Sequence, residues 1–294
     1  SVAVASPLLN PVFVGGTGRS GSTIVGDLLD HHPEITLTRP MEVRFITGNN
    51  GIADALAKAG KTSGKKAAEL AVERIHDRWF HRAENVGLHT SMSLEFVREV
   101  TSNYLLKFEV DPLRATQDLV YSIMEKVALG CNAARWVDTT PANARKANIL
   151  APIYPEHKVV VVTRDGRDVS ASFVHQDFGP SDVFVALAQW EARMIKSDQA
   201  SKKCEPGVVL TLDLQDLVVT DREESLSRIL QHCNLDDSAE MRDWFNEVVT
   251  PEGAHAGRWR RDFDGSTAAA IDEFYAESCE RLRALGIAIP ASGD

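Results

Sequence analysis

Lys158 to Thr163 reads KVVVVT, four consecutive valines with no polar interruption. Successive side chains of a strand point to opposite faces, so a strand this uniformly apolar has to be covered on both sides. That is the place of a central strand in a parallel sheet with helices on each face. Pro11 to Gly15 (PVFVG) is a second short apolar run, closed by glycines, and Val208 to Leu212 (VVLTL) is a third. After the PVFVG run, Ser20 to Asp30 carries Ile24, Val25, Leu28 and Leu29 at helical spacing, which reads as strand, tight loop, helix.

Ile52 to Arg82 and Leu94 to Leu129 read as mostly helical, broken at Lys61 to Gly64 and around Pro112. Asp182 to Ala200, Arg222 to Cys233 and Ala268 to Leu285 are further amphipathic stretches. The expected fold class is therefore α/β, a doubly wound central parallel sheet with a helical cap at about 45–130. No repeat or low-complexity linker divides the chain, so one domain over 1–294 is expected. In such sheets the ligand sits beyond the carboxyl ends of the strands.

With 44% hydrophobic residues in 294, the chain can bury a sizeable core. A formal net charge of -10 argues against bulk attraction to nucleic acid or to anionic membrane, so any phosphate site must rest on a local basic cluster. Cys131, Cys204, Cys233 and Cys279 lie far apart, with no CxxC pair and no matching histidine spacing for zinc, so free thiols in a reducing compartment are expected. No apolar run approaches the roughly 20 residues needed to cross a bilayer. The opening SVAVASPLLNP lacks the basic start and long apolar region of a signal peptide. The expectation is a soluble, cytoplasmic chain with no membrane segment; because it begins at Ser1, a trimmed anchor or tag stays open.

Gly16 to Thr23 reads GTGRSGST, the spacing of the phosphate-binding G-x-x-x-x-G-K-[ST] loop with Ser22 in the lysine's place. Glycines let the backbone curl so that N–H groups converge on an anion, and the following helix adds the positive end of its dipole. Without the lysine, which in triphosphatases reaches the β- and γ-phosphates, triphosphate chemistry is disfavoured. Arg19 offers a cationic fork instead, and Ser20, Ser22 and Thr23 offer hydroxyl donors, a set suited to a compact tetrahedral anion. Taken alone, the loop also fits an ordinary glycine-rich turn.

Directly after KVVVVT comes Arg164-Asp165-Gly166-Arg167-Asp168, with Ser172 eight residues past Arg164. Arg164 at a strand's carboxyl end and Ser172 on the next helix can grip one phosphate from two sides. Together with GTGRSGST, this segment resembles the nucleotide-binding signatures of the superfamily of sulfotransferases that use 3′-phosphoadenosine 5′-phosphosulfate (PAPS). In that family the first loop, here Thr17, Gly18, Arg19, Ser20, Gly21, Ser22 and Thr23, holds the 5′-phosphosulfate. The second segment, here Arg164 and Ser172, holds the 3′-phosphate. Tyr154-Pro155-Glu156-His157-Lys158 is similar to the family's Phe-Pro-x-x-Lys lead-in, and Gly257-Arg258-Trp259 looks like its late G-R-W segment, which folds over the nucleotide.

The resemblance implies sulfonate transfer from PAPS, without metal, to the hydroxyl of a small-molecule, glycan or lipid acceptor, and it leaves carbohydrate, lipid, secondary metabolite and peptide tyrosine open. Arg19 is the expected stabiliser of the transferring group, and Glu42, where related enzymes commonly place a glutamate, is the expected catalytic base. Trp136-Val137-Asp138-Thr139-Thr140-Pro141 is similar to the family's W-x-[ED]-K-T-P segment, with Thr139 in the lysine's place, which puts a second leaving-group cation in doubt. Arg78-Trp79-Phe80-His81-Arg82 combines aromatic surface with donors and fits either an acceptor wall or an ordinary helix face. Two alternatives stand beside this reading: a magnesium-dependent phosphotransferase, favoured by the loop frame alone, and a non-catalytic nucleotide-binding protein, favoured by Thr139.

Overall fold

Lys158–Thr163 forms a strand, as its valine run requires, and pairs in parallel with Val12–Gly16 from Val12 against Lys158 to Gly16 against Val162. The structure, a computed structural model, describes residues 7–39 and 42–293. Its strands are β1 (Val12–Gly16), β2 (Thr36–Leu37), β3 (Trp136–Asp138), β4 (Lys158–Thr163) and β5 (Val209–Asp213). They form one sheet in the order β2-β3-β1-β4-β5, and every pairing is parallel.

The period of two along β1 and β4 sorts the core into two layers. Phe13, Val159 and Val161 point to one face and Val12, Val14, Val160 and Val162 to the other. The first face is covered by α2 (Ile52–Ala57), α3 (Gly64–Arg74), α4 (Leu94–Phe108), α5 (Pro112–Gly130) and α6 (Ala147–Ile153), with α1 (Ser22–Asp30) lying on the second. There Phe13 meets Trp136 edge-on at 5.3 Å and Tyr154 at 5.9 Å, which places the Tyr154 lead-in beneath the sheet centre. On the other face, α9 (Arg222–His232) and α10 (Ala239–Val248) complete the layer begun by α1. A third cluster joins α7 (Gly166–Val174), α8 (Val183–Lys202), α11 (Arg258–Asp262) and α12 (Gly265–Ala284).

The α/β parallel architecture follows the sequence reading, with β5 one residue further on than the VVLTL run. The strands β2 and β3 were not anticipated. They are two and three residues long, too short for any periodicity to register, and Trp136–Asp138 reads locally as part of a turn motif. β3 nonetheless runs beside β1, with Val12 against Val137.

The strand order has one consequence for the site. The chain leaves β1 for the β3 side, returns across β1 to β4, and continues outward to β5. The register of Gly16 with Val162 brings the loop after β1 and the start of α7 after β4 to the same sheet edge, where doubly wound sheets bind ligands.

Behind the first loop, Gly26 of α1 packs on the segment after β3: a Cβ there would lie 2.2 Å from the Thr139 Cγ2 methyl. Gly26→Ala is expected to lower stability by about 1–3 kcal/mol through overpacking, against the roughly 1 kcal/mol that alanine gains in helix propensity. Removing the methyl with Thr139→Ser should restore most of the loss in urea unfolding. Unchanged stability of the Gly26→Ala protein would contradict this contact.

Candidate functional site

Three residues of the loop from Thr17 to Gly21 are left-handed: Gly18 has φ 87°, Arg19 φ 56° and Gly21 φ 103°. Glycine enters this region freely, whereas Arg19 does so at a cost of order 1 kcal/mol, a kind of strain that recurs at binding sites. Gly21 is also required by space, since a Cβ would lie 2.7 Å from Leu214 Cδ1. The curl makes a concave backbone nest, and α1 starts at its rim with no side chain capping its first amides. Those uncapped amides and the helix dipole favour an anion.

Two arginines hold this loop from behind. Arg145 Nη1 donates to the Gly16 carbonyl at 3.1 Å and Arg193 Nη1 to the Thr17 carbonyl at 2.7 Å. Burial, with Arg193 nearby, lowers Arg145 to about 10, so it remains a cation at neutral pH. Each guanidinium occupies a loop carbonyl that would otherwise repel an anion in the nest. Neither residue has a local sequence signal: Arg193 is one position in the middle of α8, and Arg145 follows Pro141 in a short turn.

Arg164, after β4, joins three segments. Its Nη1 donates to the Arg19 carbonyl at 3.0 Å, and its Nη2 to the carbonyls of Ala254 and His255 at 3.0 and 3.1 Å. Arg19 Nε in turn donates to Ser172 Oγ at 2.9 Å, so Arg19, Arg164 and Ser172 form one connected group. Asp168 accepts from the backbone N–H groups of Gly257 at 2.9 Å and Trp259 at 3.1 Å, fixing the Gly257–Arg258–Trp259 segment against α7. Burial pushes the Asp168 carboxyl up, while Arg164 and the two amides pull it down.

The start of α7 is capped by Asp165, which accepts from Arg167 N at 2.9 Å, so Asp168 is free to anchor Gly257 and Trp259. Arg167 is a structural cation. It pairs with Asp165 and Asp272, each at 2.6 Å, and lies between the rings of Trp259 and Tyr275.

Glu42 is positioned by Asp138 at the end of β3. Asp138 accepts from Val43 N at 2.9 Å, from Thr140 N at 3.1 Å and from Asn143 Nδ2 at 3.0 Å. Arg44 Nε donates to Glu42 Oε2 at 2.7 Å, which orients the carboxylate. Burial raises the Glu42 pKa above its ordinary value; Arg44 opposes this and Asp138 adds to it. Pro40 and Met41 of the same motif lie outside the described residues. Thr139 turns its methyl onto Gly26, whereas Thr140 faces the cleft.

These parts enclose a cleft of about 850 Å³. Of the sequence-nominated residues, Gly18, Arg19, Gly21, Ser22, Thr23, Glu42, Arg164, Ser172 and Arg258 line it. Thr17, Ser20 and Gly257 do not: Thr17 Oγ1 donates to the Gly18 carbonyl, Ser20 is fully buried, and Gly257 is held to Asp168. Arg78, Trp79 and Arg82 stand on the wall, with Arg74 one turn earlier, while Phe80 and His81 do not. Among the described lining residues there are nine arginines and one carboxylate, Glu42, in a chain whose net charge is -10. A cleft of this kind concentrates positive field and draws anions from solution.

Arg193→Met, which keeps apolar contact with Phe173, is expected to weaken the loop by about 1.5–3 kcal/mol, the scale of a hydrogen bond to a charged group. Hydrogen exchange of the amides at 16–21 should quicken by at least about tenfold. Exchange at the wild-type rate would mean that Arg193 does not hold the loop.

The sulfotransferase family model matches residues 11–239. A protein of Aquifex aeolicus with no characterized function is 24% identical over 237 residues, 78% of this chain, and the chain spans about a quarter, 26%, of that protein's length. The sulfotransferase domain of the Synechococcus PCC 7002 olefin synthase superposes with a TM-score of 0.52 at 16% identity, covering 91% of this chain and 95% of that one. A sulfotransferase of Mycobacterium avium superposes with a TM-score of 0.51 at 14% identity, covering 96% and 78%. These likenesses show a shared fold, and the family match covers the nest, Glu42, Arg164 and Ser172 alike: the chain belongs to the sulfotransferase family.

Proposed function

We propose that the protein transfers a sulfonate group from PAPS to an acceptor hydroxyl. The observation that carries this reading is the connected group of Arg19, Arg164 and Ser172 beside an uncapped helix start, which offers two neighbouring places for anions in one cleft. A nucleotide with separated 5′ and 3′ anions matches that pair. The nest amides and α1 would take the 5′-phosphosulfate, with Ser22 and Thr23 at the helix start. Ser172 and Arg258 would take the 3′-phosphate together with the Arg164 group. Thr17, Ser20 and Gly257 contribute backbone to this account and not side chains.

In the reaction the acceptor oxygen forms a bond to sulfur as the bond from sulfur to the phosphate oxygen breaks. The hydroxyl proton passes to Glu42, and the leaving group is 3′-phosphoadenosine 5′-phosphate. Negative charge builds on the bridging oxygen, where the nest amides and Arg19 would stabilise it. Arg19 would have to exchange its Ser172 contact for the sulfonate side, a short movement of one side chain. The helices between about 45 and 130 would form the acceptor side of the cleft in a single sulfotransferase domain.

Base catalysis by Glu42 sets the sign of the pH dependence. Only the ionised carboxylate accepts a proton, so kcat/KM rises with pH until Glu42, held above the ordinary carboxylate range by burial, is fully ionised. Acceptor-dependent formation of 3′-phosphoadenosine 5′-phosphate, followed across pH, is the test. Glu42→Gln should lower turnover by about 10²–10⁴-fold and remove the acid limb. Near-normal turnover in that variant, or an unchanged acid limb, would remove Glu42 from the role.

A further inference from the structure

The arginines of the cleft exceed what a PAPS-type donor uses, and the surplus lies on one side. Arg19, Arg164 and Arg258 belong to the nucleotide group, and Arg145 and Arg193 are occupied by loop carbonyls. Arg44 is paired with Glu42. Arg74, Arg78 and Arg82 remain. Among the described residues none of them makes an ion pair, and the Nε of Arg74 is buried without a hydrogen-bond partner. An unmet buried donor on a guanidinium is costly, and a chain that keeps one in a ligand cleft points to a ligand that meets it.

The local backbone is irregular at the same place. After Arg74, α3 runs into a π turn, Ile75–Trp79, closed by Phe80 N donating to the Ile75 carbonyl at 2.8 Å. Such widened turns recur where helices carry functional side chains. Arg82 lies over the Trp79 ring at 5.5 Å, and its Nη1 reaches toward the Glu42 carbonyl at 3.5 Å. Burial, and then the neighbouring Arg44, lower the Arg82 pKa, and Glu42 opposes them.

Building on the sulfonate-transfer reading, we infer that the acceptor is itself an anion: a hydroxyl compound that also carries a carboxylate, sulfate ester or phosphate ester, bound by Arg74, Arg78 and Arg82. Guanidinium forks recognise such oxyanions through paired charge-assisted hydrogen bonds. Trp79 supplies apolar surface for the carbon skeleton, and Arg82, next to Glu42, ties the anion site to the base. A neutral alcohol would leave the buried Arg74 Nε without a partner. Carboxylate, sulfate and phosphate share the recognising chemistry.

The test uses inorganic pyrophosphate as the anion probe on protein already saturated with 3′-phosphoadenosine 5′-phosphate. Calorimetry should show a further equivalent of pyrophosphate bound to wild type. Binding should weaken by at least about tenfold in Arg74→Gln/Arg78→Gln, the loss expected for one charge-assisted contact, with the nucleotide affinity unchanged. The single variant Arg78→Gln, at an exposed position, provides the same comparison should the double variant fold poorly. Uptake of no pyrophosphate by the nucleotide-bound wild type, or equal uptake by the variants, would overturn the anionic acceptor while leaving the donor reading intact. Failure of the nucleotide itself to bind in the first titration would overturn the donor reading, and the inference with it.

In turnover, 4-hydroxyphenylacetate should be preferred to its methyl ester by at least about tenfold in kcat/KM, and the variants should lose that preference through KM. Preference for the ester would contradict the inference.

Discussion

The in-register pairing of β1 with β4 is the constraint on which the rest depends. Because both strands are apolar on both faces, helices have to pack above and below them, and the first turn after each strand is pushed to the same edge. The glycine loop and the Arg164 segment therefore meet without any contact of their own having to bring them together. Arg164 then converts this nearness into geometry, since one guanidinium binds carbonyls of the first loop and of residues 254 and 255. Asp168, four residues on, does the same from the opposite charge by holding Gly257 and Trp259.

This wiring changes how individual residues are to be read. Arg164 is a bracket as well as a proposed ligand, because its loss would release two loops along with any phosphate contact. Ser172 is the cleaner probe of the proposed nucleotide site, since its hydroxyl has Arg19 as its partner and its removal leaves the bracket standing. Arg167 is engaged with Asp165, Asp272 and two aromatic rings away from the cleft, whereas Arg258, paired with Asp262 at 2.9 Å, lines it.

Much of this was legible in the sequence because the informative signals are local. KVVVVT names a central strand, GTGRSGST has the glycine spacing of the curled loop that follows β1, and Arg164 and Ser172 stand just before and within a helix that starts at the sheet edge. What was not legible depends on contacts between distant segments. β2 and β3 are held by pairing rather than by pattern, so two or three residues gave no period to detect. Arg145 and Arg193 act on carbonyls 129 and 176 positions away, and an arginine on a helix carries no mark of that. Thr139, read as a departure from the family's lysine, turns out to face Gly26, so its meaning lies in packing behind α1. Arg78 and Arg82 stood in a stretch that fitted either an acceptor wall or an ordinary helix face, and Arg74 had no sequence signal; only the cleft brings the three together.

We propose that the cleft holds a nucleotide through two separate anions and without metal. Calorimetric titration of 3′-phosphoadenosine 5′-phosphate in the presence of a chelator, beside ATP with magnesium, tests it most directly on wild type and Ser172→Ala. One-to-one, metal-independent binding of the bisphosphate is expected, weakened by about 10–100-fold in the variant through loss of a charge-assisted hydrogen bond. Absence of binding, or a clear preference for magnesium-ATP, would contradict it.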